Sequence, residues 1–138
     1  MTADEIIALL DLAPHPEGGH YRQTWMDDAQ PRAAGTCIYF LLKGGERSHW
    51  HRVDAAEIWH YYAGAPLTLS LSETGAGPRA DLTLGPDLAT GQRPQLIVPT
   101  GHWQAAQSLG DWTLVGCTVS PGFQFSGFEL APEGFDIP

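Results

Sequence analysis

Within the stretch HWHRVDAAEIWHYYAG, residues 49–64, two histidines and a glutamate stand at spacings that permit metal or acid–base chemistry. His49 and His51 are two residues apart in a strand-like run, so strand alternation puts both imidazoles on one face and Trp50 on the other. Glu57 opens the next run six residues later, and a turn across RVDAA returns its carboxylate toward the two rings. Two imidazoles and one carboxylate form a facial set that divalent iron, manganese, nickel or zinc can accept. Downstream, VPTGHWQ places Pro99 and Gly101 in a tight turn feeding another strand, on which Gln104 is the natural fourth member. The competing reading is a pair of polar histidines on a solvated strand face.

Other side chains compete for the same pocket. Glu57, Trp59 and Tyr61 share one face of their strand while Ile58, His60 and Tyr62 share the other, so Glu57 and His60 cannot both point inward without a bulge. Glu57 is read as the inward residue. His60 is then either hydrogen-bonded outside the barrel or at a dimer contact. In HYRQTW, an inward Arg22 would hold a carboxylate or phosphate through a bidentate fork, and a surface ion pair is the equal alternative. Aromatic residues in strands mostly fill cores, with Trp59, Tyr61 and Tyr39 the exceptions whose strands neighbour the candidate site.

These residues need a scaffold of strands. With 138 residues the chain fits one domain, and its 16 Gly and 11 Pro suit many short strands better than a few long helices. Thr2 and Glu5 form a capping box, followed by Ile6, Leu9 and Leu10 on one helical face, which predicts a helix over residues 2–12 stopped by Pro14. After the polar turn PHPEGG come about ten strand-like runs between residues 20 and 130: HYRQTWM, TCIYFLL, SHWHR, EIWHYY, LTLSLS, ADLTL, PQLIV, WQAAQS, WTLVGCTV and FSGFEL. Such a chain must close its sheet or pack two sheets together to protect its edges, which points to an all-β jelly roll or small antiparallel barrel. Cys37 and Cys117 lie apart in apolar segments without CxxC spacing and read as buried free thiols.

The formal charge of −9 disfavours nucleic acid and anionic membranes as partners. MTADEIIALLDL has no basic leader region, and no apolar run approaches the ~18 residues of a membrane span, so a cytoplasmic location is expected.

The pattern G-x₃-H-x-H-x₅-E-x₆-G from Gly45 to Gly64, followed by P-x-G from Pro99, resembles the two motifs of the cupin superfamily, with Gln104 where the second motif carries a histidine. Through PHPEGGHYRQTW, IYFLL, HRVDAAEIWHYYAGAPLTL, PQLIVPTGHWQAA, WTLVGCTVSPGF and FEL, the chain is similar to one small branch, the fifth cupin family. The resemblance implies a cupin-type double-stranded β-helix, a homodimer, and a polar pocket inside the barrel like that of sugar epimerases. It also favours His51 over His49 and brings Glu17, in Glu17-Gly18-Gly19, near the pocket mouth, where the bland alternative is a simple turn. Three functions follow as expectations. One is an isomerase- or epimerase-like enzyme without obligatory metal, acting on a small anionic or sugar-like molecule with His51 as base and Tyr39 or Tyr61 as acid. Another is a metal-dependent isomerase, lyase or oxygenase using His49, His51, Glu57 and Gln104. The last is a dimeric module that binds a small molecule without chemistry.

Overall fold

The structure is a computed structural model that describes residues 1–138. Its one α-helix, α1 (Ala3–Leu10), begins at the expected capping box: the Glu5 amide donates to Thr2 Oγ1 and the Thr2 amide to Glu5 Oε1, both at 3.2 Å. The helix ends before Pro14 is reached, because Asp11 turns left-handed at φ 55°. Eleven strands follow, β1 (Ala13–Pro14), β2 (His20–Met26), β3 (Thr36–Lys43), β4 (Arg47–Val53), β5 (Ala56–Gly64), β6 (Leu67–Ser72), β7 (Ala80–Leu84), β8 (Gln95–Val98), β9 (Trp103–Ser108), β10 (Trp112–Ser120) and β11 (Phe128–Leu130). The first half of FSGFEL is a 3-10 turn, Phe125–Gly127, so only its second half pairs as a strand.

Two antiparallel sheets face each other in the expected jelly-roll barrel. One has the order β1-β2-β3-β10-β5-β8 and the other β11-β4-β9-β6-β7. Inward residues at one end form a dry cluster of Phe40, Leu42, Trp59, Leu67, Leu69, Leu84, Val98, Ala106, Val115 and Cys117. Fully burying each of its leucines contributes about 1.5–3 kcal/mol. Outside, Ile6 of α1 and Leu12 just after it cover the six-stranded sheet at Leu41, and Trp50, Trp103 and Ala105 of the other sheet are sealed by Ala131 and Ile137 near the C-terminus. Both cysteines are free thiols, Cys117 buried and Cys37 half-buried. No helix is long and apolar enough to cross a membrane.

Alternation breaks at three places, between Ser48 and His51 against β9, Gln23 and Trp25 against β3, and Leu114 and Val115 against β5. The first decides the site. Ser48 pairs with Ala106 and His51 with Gln104, so β4 carries one residue more than β9 over this interval. A bulge of this kind shifts side-chain parity by one. Ser48 and His51 therefore face the interior together, and Trp50 packs on the outer cluster.

Candidate functional site

At the end of the barrel opposite the leucines lies a recess of about 140 Å³. That is close to the ~150 Å³ that admits a benzene-sized molecule. Its polar groups are His15, Glu17, His51 and Glu57 on the walls with Tyr21, Gln23 and Thr36, and its apolar lining includes Ile38, Val53, Cys117, Val119, Phe123 and Phe125.

Two of these groups come from the PHPEGG turn. His15 N–H donates to Gly19 O and Gly18 N–H to His15 O, closing the turn on itself, while the His49 amide donates to Glu17 O at 2.8 Å and ties it to β4. Gly18 has φ 109°, and a Cβ there would collide with the Arg47 carbonyl, so only glycine lets the turn lie flat on the strand. The outcome is that Glu17 enters the barrel from outside the sheets. Its Oε2 accepts from Ser48 Oγ and lies 3.5 Å from His51 Nε2.

Hydrogen bonds set the protonation pattern. His51 Nδ1 meets His49 O at 2.8 Å; a carbonyl can only accept, so Nδ1 carries the hydrogen and Nε2 of the neutral ring presents a lone pair to the recess. His15 has the opposite arrangement: its Nδ1 accepts from the Glu17 amide at 3.1 Å, leaving Nε2 as the N–H donor. Glu57 is fixed by a buried relay in which Trp59 Nε1 donates to Gln104 Oε1 and Gln104 Nε2 donates to Glu57 Oε1, both at 2.8 Å. Because an indole only donates, the amide can present only its NH₂ group to Glu57, and any proton on that carboxyl sits on Oε2.

Burial then moves the ionisations. It pushes Glu17 up to about 8, with the Ser48 hydroxyl pulling the other way. Glu57 rises to about 7, again through burial, with Glu17 adding to the rise and His51, Gln104 and Cys117 opposing it. Burial depresses His15 to about 4 and also lowers His51. Near neutrality the recess thus holds a neutral base beside a protonated acid. Each neutral form is the one a poorly solvated site favours.

The structure separates the residues the sequence had grouped. His51 and Glu57 meet in the recess, with Glu17. His49 does not: the β4 bulge turns it away, and its Nε2 lies 2.9 Å from Pro132 O. Gln104 is fully buried and spent on Trp59 and Glu57, and Trp59 belongs to the dry cluster. The expected set of His49, His51, Glu57 and Gln104 therefore does not assemble, and no three His, Cys, Asp or Glu side chains converge as a metal-holding group. Those donors do not fit a metal ion.

Three more expectations are corrected. Arg22 points outward and donates to Leu10 O at 3.0 Å, because Tyr21 and Gln23, not Arg22, have the inward parity in β2. Tyr39 lies on the outer face of β3 in the cluster under α1. Tyr61 packs against the dry cluster and donates to Gly64 O at 2.6 Å, away from the recess. His60 is outside, with Nε2 3.1 Å from Thr118 Oγ1. Sequence reasoning missed His15, Tyr21 and Ser48. His15 shares the PHPEGG turn with Glu17, so the signal available was a histidine and a carboxylate two residues apart before a Gly-Gly pair.

Comparison with known proteins places this geometry in a family. The profile described as Cupin superfamily (DUF985) matches residues 4–131. A crystal structure of a protein from Shewanella oneidensis is 42% identical, with a TM-score of 0.89 over 95% of this chain and 85% of that one. A hypothetical protein from Leishmania major is 30% identical, with a TM-score of 0.87 over 98% of this chain and 90% of the other. An oxalate decarboxylase variant of B. subtilis shares the fold at 14% identity, with a TM-score of 0.67 over 88% of this chain and 31% of its own length. No curated protein matches. On the profile and the two full-length relatives together, the chain belongs to the cupin superfamily, in the family described as DUF985.

Proposed function

We propose that this protein is an isomerase- or epimerase-like enzyme that moves protons on a small carbonyl- and hydroxyl-bearing molecule without using a metal. The observation that carries this reading is the facing pair on the recess wall, the bare Nε2 of His51 and the Glu17 carboxyl 3.5 Å apart. An imidazole base and a carboxylic acid held near neutral pH are the two partners that proton abstraction next to a carbonyl requires.

In the proposed reaction, His51 Nε2 takes the proton from the carbon beside the carbonyl as the C–H bond breaks, and the electron pair moves to the carbonyl oxygen. That oxygen is protonated by Glu17, giving a neutral enediol and a Glu17 carboxylate. When His51 returns a proton to the other face or to the neighbouring carbon, an enediol hydroxyl gives its proton to Glu17, which re-forms the carbonyl as the epimer or isomer and restores both groups. The Glu57 Oε2 hydroxyl and the His15 Nε2–H supply further donors for substrate oxygens. Tyr21, Phe123 and Phe125 restrict water at the mouth. Glu17 thus fills the acid role first assigned to Tyr39 or Tyr61.

Solvent-deuterium incorporation tests this directly. A panel of small aldoses, ketoses and hydroxy ketones is incubated in D₂O with the protein and with His51→Ala, and carbon-bound hydrogen is followed by NMR. Enzyme-dependent exchange that the variant lacks supports the reading. Compounds that bind but never exchange would sink it and leave a binding module.

A further inference from the structure

The recess is unusual in the charges it omits. None of its thirteen lining residues is Lys or Arg, although it contains two carboxyl groups. The nearest candidate cation by sequence, Arg22, is turned outward and engaged with Leu10 O. His15 is neutral because its Nδ1 accepts a hydrogen bond, and burial favours the neutral form of His51, so no fixed positive charge offsets Glu17 and Glu57 from within the recess.

Two further observations point to what enters. Glu57 is 7% exposed, accepts from Gln104 at Oε1 and lines the recess. Tyr21, Phe123 and Phe125 line the same recess with aromatic rings, over whose faces an organic cation is attracted by the ring quadrupole. A carboxylate wall with an aromatic wall suits an ammonium group. An anion of the same shape would meet two acids that ionise in its presence only at mutual repulsion. Neither an Arg fork nor a helix N-terminus, the usual holders of a phosphate or carboxylate, lines this recess.

We propose that the recess selects a small organic cation, so that, within the proton-transfer function proposed above on which this rests, the substrate is an amine-bearing carbonyl compound such as an amino sugar or amino ketone. The ammonium group sits against the Glu57 carboxyl and the aromatic side chains, and the carbonyl group lies between His51 and Glu17. Binding of the cation draws Glu57 into its ionised form and releases its proton to solvent, while Glu17 keeps the proton it gives to the carbonyl oxygen.

The test uses three probes with one carbon skeleton and three charges: isobutylammonium, isobutanol and isobutyrate. Binding to the full chain is measured by protein-observed NMR at a pH near 7, where Glu57 titrates. The ammonium is expected to bind at least tenfold more tightly than isobutyrate, shifting resonances of His51 and Phe125. Proton release is read by calorimetry in two buffers of different ionisation enthalpy. Glu57→Gln is expected to reduce the preference to less than half, and if it fails to fold, Phe125→Leu, which removes an aromatic face, is expected to do the same. Equal or tighter binding of isobutyrate overturns the proposal, as does the absence of binding by all three. If the ammonium preference fails while solvent-deuterium exchange persists, only this inference falls. If the preference holds and exchange is absent, the proton-transfer reading falls instead.

Discussion

The two ends of the barrel are built from the same strands and solve opposite problems. On β3, Phe40 and Leu42 point into the dry end while Thr36 and Ile38 line the recess, and on β10 Val115 belongs to one and Val119 to the other. The dry end closes around leucines with almost no exposure. The wet end keeps two carboxyls and two imidazoles out of water without filling the space between them. Apolar packing is thus concentrated at one end and ionisable groups at the other, joined by the Trp59–Gln104–Glu57 relay.

This division can be broken from either side. The largest effect is expected from His51→Ala, with deuterium exchange falling by about 10²–10⁴-fold while unfolding free energy stays within about 1 kcal/mol of the parent. A folding collapse in chemical denaturation would show that the wet end is structural. At the dry end, Leu69→Ala is expected to lower unfolding free energy by about 2–5 kcal/mol and leave the exchange rate per folded molecule unchanged. Trp59→Phe tests the seam. It removes the only donor to Gln104 Oε1, so about 1–3 kcal/mol is lost and the pH profile of exchange moves as the freed amide turns. An unmoved profile would mean that the relay does not orient Glu57.

The smallest effect is on pH dependence. Glu17 and Glu57, raised from 4.5 to about 8 and about 7, hold protons in the native state that the unfolded chain has lost, so they favour folding less as pH rises through that window. The depressed His15 and His51 act in the opposite sense, but below 6.5, where the unfolded imidazoles gain protons. Between pH 6.5 and 8 the carboxyls act alone, and stability is expected to fall by roughly 1–2 kcal/mol. Thermal melts of Glu17→Gln should show a flatter slope, and an unchanged slope would place the ionisation elsewhere.

The strands were legible in the sequence because apolar alternation and Gly or Pro turns mark them in runs such as TCIYFLL and WTLVGCTV. The same alternation says that Glu57 and His60 cannot both point inward, and the structure has Glu57, the residue read as inward, in the recess and His60 outside. What alternation cannot show is where it slips. The extra residue in β4 replaces His49 by Ser48 on the inner surface, and nothing in SHWHR announces it. Arg22 was misplaced for want of a fixed starting parity in β2. Glu17 was approached only through family likeness, since turn residues carry no periodic signal that says whether they cross back into a core.

That crossing gives the turn at His15–Gly19 a separate standing. The barrel strands carry His51, and a five-residue strap laid over β4, seated by Gly18 against the Arg47 carbonyl, carries Glu17, the acid of the proposed reaction. The strap is therefore an exchangeable cassette. Grafting another turn of equal length there would alter the proton donor while every strand and every leucine stays in place, so new chemistry on this barrel is a matter of splicing rather than repacking.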